Sequence, residues 1–253
     1  MLEDSGAEPR TKARLLAVAS KESGAWLNAL PSPSLGNLLD NDSLRISVAL
    51  RLGAPVCQAH TCVCGSLVDI SGHHGLCCKK SSGRHSRHTA INDIVRRSLV
   101  SAGIPSILEP PGVSRDDGKR PDGLTLILWK EGRCLDWDAT CVDTLAPSHV
   151  NSTAITPGAA ATEAERKKTA KYLCLQSHFV FIPMGFETFG PWGVEAKELV
   201  CSIGRKLKEK TGDLRSTEFL KQRLSMEIQR GNAVSVMGTI PSTKALDEIF
   251  LVP

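Results

Sequence analysis

Apolar positions along the chain follow two rhythms. Ile91, Ile94, Val95, Leu99 and Ala102 recur at helical spacing in RHTAINDIVRRSLVSAGIP, with Gly103 and Pro105 behind them as terminators, which predicts an amphipathic helix. Leu44, Ile46, Val48, Ala49 and Leu52 likewise give DSLRISVALRLG one apolar side, with Ser43 or Asp42 able to cap it and Gly53 to end it. The second rhythm is the short apolar run. SILE (106–109), GLTLILW, RCLDWDATCV and HFVFIPM read as strands, the middle two joined by KEGR, whose Gly132 suits a hairpin. AAATEAERKKTAKYLCLQS has the composition of a helix of about five turns. GVEAKELVCSIGRKLKEK reads as a covering helix and STEFLKQRLSMEIQRGNA as one more.

From 88 to 210 the order is therefore helix, three-strand meander, crossover helix, strand, covering helix. This predicts an α/β (α+β) architecture, a mixed sheet flanked by helices. Four segments follow: a helical and loop lead-in (1–54), a cysteine-rich unit (55–82), the core (83–210) and a C-terminal helix and tail (211–253).

Composition narrows the picture. At 253 residues and 41% hydrophobic, the chain can bury a sizeable core. MLEDSGAEPRTKAR opens with acids and lacks an apolar stretch, so secretion is not expected. The longest apolar runs fall far short of the roughly 20 residues that cross a bilayer, so no membrane partner is expected. A net charge of +4 permits a nucleic-acid partner without demanding one. Basic residues cluster at KKSSGRHSRH, GKR, ERKKTAK and GRKLKEK, and RDDG (115–118) reads as a polar turn. A histidine beside arginines ahead of a helix suits phosphate, which assigns Arg84, Arg87 and His88 to DNA contact, together with Arg120.

Five of the nine cysteines fall between 57 and 78. Without a secretory context this clustering suggests a metal rather than disulfides. The spacing Cys62-x-Cys64-x8-His73-x4-Cys78 offers four sulfur and nitrogen donors for a structural Zn²⁺. His74 can replace His73, Cys77 can replace Cys78, and Cys57 with His60 form a further donor set.

The second constellation is acidic. Asp122 follows a proline at the mouth of a strand, and Asp136 and Asp138, two apart, project from one face of the next. With Glu109 nearby they form an oxygen-only site of the kind that binds Mg²⁺ or Mn²⁺. The competing reading makes them salt-bridge partners of Arg120, Arg133 and Lys119.

The run C-x-C-x8-H-x4-C, then GRHSRHTAIND, LEP, RPD and a later acid resembles the restriction-like, PD-(D/E)xK endonuclease at the C-terminal end of site-specific non-LTR retrotransposon polyproteins, over roughly residues 57–190. The resemblance implies a restriction-endonuclease-like sheet preceded by a small zinc knuckle, and an Mg²⁺-dependent nicking activity on DNA. Asp122 and Asp138 would hold the metal, assisted by Glu109, with Asp136 as the alternative to Asp138. In the core pattern a lysine follows the second acid by two residues; here the slot after Asp136 is Asp138 and that after Asp138 is Thr140. The resemblance places the lysine on the next helix instead, at Lys171 or Lys168, with Lys171 preferred. It further implies element RNA and a reverse transcriptase portion as partners, a nuclear site of action, and a chain that is the severed tail of an element or a host copy of one. An inactive nucleic-acid-binding derivative and a nuclease selective for branched substrates are the alternatives.

Overall fold

The strand RCLDWDATCV lies at the interior of a mixed four-stranded sheet in the computed structural model, which describes residues 8–113, 118 and 120–240. Helix α1 (Pro9–Ala19), a 3-10 segment (Glu22–Asn28) and α2 (Asn41–Leu52) come first. The cap of α2 is Asp40 rather than Ser43 or Asp42: its carboxylate accepts from the Ser43 amide at 2.8 Å and the Ser43 hydroxyl at 2.7 Å. An aspartate three residues ahead of that amide is placed where an N-cap acts.

The cysteine-rich unit contains a two-stranded ribbon, β1 (His60–Thr61) and β2 (Leu67–Val68), and a one-turn helix, α3 (His74–Cys77). Helix α4 (Gly83–Ser101) follows directly. It begins well before the apolar periodicity at Ile91, so its first two turns carry Arg84, His85, Arg87 and His88 as helical residues rather than as a turn.

Strands β3 (Ser106–Leu108), β4 (Gly123–Lys130) and β5 (Arg133–Val142) form the antiparallel meander. The β4–β5 connection has only Glu131 and Gly132 between the paired Lys130 and Arg133, at φ 52° and 69°. Two consecutive positive φ values give the right-handed twist that a two-residue hairpin requires. The polar turn expected before β4 lies largely outside the described residues, as do Arg115, Asp116, Asp117 and Lys119.

Helices α5 (Val150–Thr153) and α6 (Ala159–Lys171) connect β5 to the parallel β6 (Phe179–Glu187). Helix α6 is shorter than its composition predicts, giving way after Lys171 to a 3-10 turn at Leu173–Leu175. Strand β6 is the sheet edge, and this position tolerates Pro183 within it. Helices α7 (Val194–Thr211) and α8 (Ser216–Met237) complete the fold.

Alternation along β5 sets the layers. Leu135, Trp137 and Ala139 enter a core with Ile91, Ile94, Val95 and Leu99 of α4, Leu199, Val200 and Ile203 of α7, and Leu220, Leu224 and Ile228 of α8. Asp136 and Asp138 face the opposite side, toward α6. Helix α8, which the sequence reading sets aside with the tail, packs on α2, α3, α4 and α7 and buries residues along most of its length. Among the described residues no helix is long and apolar enough to cross a membrane.

Candidate metal centre and acidic site

The ribbon and α3 bring Cys62, Cys64, His74 and Cys78 together so that one ligand atom from each lies within 4.8 Å of the others. A tetrahedral centre with Zn–S bonds of about 2.3 Å has S···S edges of about 3.8 Å. Cys62 Sγ and Cys78 Sγ are 3.8 Å apart, too far for a disulfide, and Cys64 Sγ is 3.2 Å from His74 Nε2. Hydrogen bonds from Ser66 lower the Cys64 thiol to about 6, and burial pushes Cys62 up to about 11. The donor set can hold a metal ion such as zinc.

The fourth donor is His74, not His73. The two lie at the start of a helical turn, where neighbouring side chains diverge by about 100°. His73 Nε2 instead meets Asp143 Oδ1 at 3.1 Å, just beyond the end of β5. Burial would raise the Asp143 pKa, but the hydrogen bond and charge of His73, with the Leu145 amide and Thr188, hold it below the ordinary range. Cys77 is exposed and Cys78 buried. Cys57 donates to the Asp69 carbonyl at 3.5 Å, and His60 lies between the Gln58 carbonyl and Thr239 Oγ1, both at 2.9 Å, so neither joins the cluster.

At the acidic site, Asp122 sits one residue ahead of β4, its amide donating to the Trp137 carbonyl of β5 at 2.9 Å. Its Oδ2 accepts from the Ala139 amide at 2.7 Å, Asn92 Nδ2 at 3.0 Å and His88 Nε2 at 3.0 Å. Asn92 is held in turn by Trp137 Nε1, 3.0 Å from its side-chain oxygen. Burial opposes ionisation of Asp122, yet the His88 hydrogen bond and charge, the Ala139 amide and Asn92 together lower its pKa. The same hydrogen bond raises the pKa of His88 against its own burial, with the charges of Asp122 and Asp138 acting in the same direction.

Asp138, 3% exposed, contacts Lys168 Nζ of α6. Burial and the negative charge of Asp122 raise its pKa, while Lys168 and Tyr172 pull it back. Helix α6 approaches this closely because residue 185 of β6 is glycine: a Cβ there would lie 2.5 Å from the Ala161 carbonyl. Glu165, one helical turn before Lys168, fixes the helix by accepting from the amides of Gly185 and Ala196, each at 3.0 Å. Tyr172 stacks on Phe181 with centroids 4.6 Å apart and donates to the Arg120 carbonyl at 3.0 Å. Strand β4, β5 and the end of α6 are thereby joined at one place.

Several expected site residues lie elsewhere. Lys171 is exposed on α6, three residues and nearly a full turn from Lys168. Glu109, at φ 47°, donates its amide to the Asp122 carbonyl at 2.8 Å, but its side chain is 76% exposed and reaches Arg120 at 3.9 Å instead of the other acids. Arg120 is half exposed and engaged with Glu109. Arg87 is 2% exposed and donates to Asn232 Oδ1 of α8 at 2.7 Å, so its side chain is turned inward against α8 rather than spread on the surface. Arg84 is exposed as expected, and His88 is spent on Asp122.

Asp136 is fully buried, and neither of its oxygens has a hydrogen-bond partner among the described residues. Burial, with the charge of Asp138 adding to it, raises its pKa to about 7. Sequence reasoning missed Asn92, whose signal was present as the polar residue in an otherwise apolar helical stripe.

No family model and no curated protein matches the chain.

Proposed function

We propose that the protein is a Mg²⁺-dependent DNA endonuclease of the restriction-like class, nicking target DNA as the retrotransposon-type enzymes it resembles do. The observation that carries this reading is the meeting of Asp122, at the mouth of β4, with Asp138 on β5 and Lys168 on α6. Two carboxylates on adjacent strands suit Mg²⁺, which takes one or two protein carboxylates and completes its shell with water and phosphate oxygens. Asp122 and Asp138 would hold the ion, whose chemistry when bound is to stabilise charge on the phosphoryl group and activate water.

The chain's own residues divide the remaining work. His88, Asn92 and the Ala139 amide keep Asp122 ionised and oriented. Lys168 would orient the attacking water by donating a hydrogen bond to it, in place of Lys171. The cysteine unit would be a structural zinc knuckle, and DNA as substrate would place the work in the nucleus.

Supercoiled plasmid with Mg²⁺ tests the reading. Nicking by the wild type, reduced at least about 10³-fold in Asp122→Asn and in Asp138→Asn, is expected on the loss of a metal ligand. Wild-type protein that binds DNA and leaves it intact overturns it. That outcome supports a second reading, a binding module on the same fold, favoured by the Lys168 ammonium already neutralising the Asp138 carboxylate.

A further inference from the structure

Beside the acidic site lies a groove of about 390 Å³ whose lining includes Lys79, Arg84, His85, Arg87, His88 and Thr140. No carboxylate is among its lining residues. Lys79 directly follows the metal-cluster residue Cys78, and Arg84, His85, Arg87 and His88 occupy the first two turns of α4. Thr140 is two residues beyond Asp138, on the same side of β5.

We infer that this groove is a phosphate subsite, which takes a phosphate of the nucleic-acid strand adjacent to the one at the acidic site. Three independent features support it. The first is the start of the 19-residue helix α4, where Ser82 supplies no side-chain cap. The amides of Gly83, Arg84 and His85 have no acceptor within the helix and, with the helix dipole, favour an anion. The second is the pair of exposed cations, Lys79 and Arg84, that line the groove with His85 beside them. The third is Arg87. It is 2% exposed, its NH1 is committed to Asn232, and its Nε has no partner among the described residues. A buried guanidinium N–H left bare is unfavourable, and a phosphate oxygen is an acceptor that fits it well.

The packing shows how Arg87 is held for this purpose. Residue 231 of α8 is glycine, and a Cβ there would stand 2.5 Å from Arg87 Cβ, so the arginine stem lies directly on the α8 backbone. Gly83 meets the same helix, where a Cβ would fall 2.6 Å from the Gly231 carbonyl. The start of α4 and the arginine behind it are thus clamped to α8, and the metal cluster brings Lys79 to the same groove.

The identity of the strand's chemistry rests on the proposed nuclease reading; the phosphate site does not. The test therefore uses the zinc-loaded full chain with Mg²⁺ omitted, titrated calorimetrically with inorganic phosphate at constant ionic strength. A saturable isotherm is expected, weakened at least tenfold in the double variant Lys79→Ala, Arg84→Ala, and unchanged in Arg205→Ala, Lys208→Ala on α7. Because all four are exposed side chains, thermal midpoints should be equal across the set. Binding equal in wild type and Lys79→Ala, Arg84→Ala, or no saturable binding at all, overturns the subsite. A short single strand with and without a 5′-phosphate then distinguishes a terminal monoester, which binds tenfold tighter when phosphorylated, from an internal diester, which binds equally in both. Phosphate binding without plasmid nicking leaves this inference standing and defeats the nuclease reading. Nicking that is undiminished in Lys79→Ala, Arg84→Ala, with no phosphate binding, does the reverse.

Discussion

The metal cluster and the acidic site are each built around a hairpin, yet one is assembled locally and the other is not. All four donors of the cluster fall between residues 62 and 78, and the fold need only supply a ribbon and one helical turn to close them on an ion. The acidic site draws His88 and Asn92 from α4, Asp122 from the start of β4, Asp138 from β5 and Lys168 from α6. The first is a matter of spacing and the second of tertiary packing. The cluster draws its donors into one compact set, while the acidic site leaves Asp136 buried beside Asp138 with no hydrogen-bond partner among the described residues.

The largest effect expected from breaking this contrast is at the cluster. Cys62→Ser or His74→Ala should lower bound zinc from a full equivalent to near zero, with loss of the local fold that structural zinc normally sustains; His73→Ala should keep the metal. Metal analysis after gel filtration decides between the two histidines. At the acidic site, Lys168→Ala should reduce plasmid nicking by about 10²-fold, the usual cost of losing a positioning group, and Lys171→Ala by less than about twofold. Equal effects would mean that α6 presents a different face to the substrate.

Asp136 gives a smaller and pH-dependent effect. Its pKa is near 7 when folded and about 3.9 when unfolded, so between these values the native state binds the extra proton and stability falls as pH rises. The penalty is absent below about pH 4, grows through pH 7 and is constant above, with a ceiling of about 4 kcal/mol. Asp136→Asn should therefore raise the wild-type melting temperature in Mg²⁺-free buffer at pH 8 and leave it nearly unchanged at pH 4. A gap of equal size at both would show that the carboxylate is not what destabilises the strand. The smallest change is expected for Asn92→Ala, which leaves Trp137 Nε1 unpaired in the core and should cost about 1–3 kcal/mol in a urea melt.

The sheet was readable because its strands are contiguous apolar runs and its hairpin carries Gly132, signals that survive without tertiary information. The cysteine cluster was readable as a donor set, but two adjacent histidines cannot be separated until the turn that orients them is known. The same limit applies to α6. Lys168 and Lys171 are equivalent by composition, and the choice is made by Gly185 letting the helix descend on β6 and by Glu165 locking its rotation. The burial of Arg87 was not readable for a related reason: an arginine in a basic stretch is normally solvated, and nothing local announces that Gly231, far along the chain, leaves room to bury it.

Helix α8 touches α2, α3, α4 and α7, and so belongs to the cysteine unit and the sheet core alike. On the ribosome, neither part can close its interior until residues 216–237 have emerged. The cores containing Leu224 and Val236 remain open until then. Synthesis proceeds at roughly 5–20 residues per second, so the residues ahead of α8 wait seconds for it. Dependence on chaperones should be concentrated in the interval before this helix arrives.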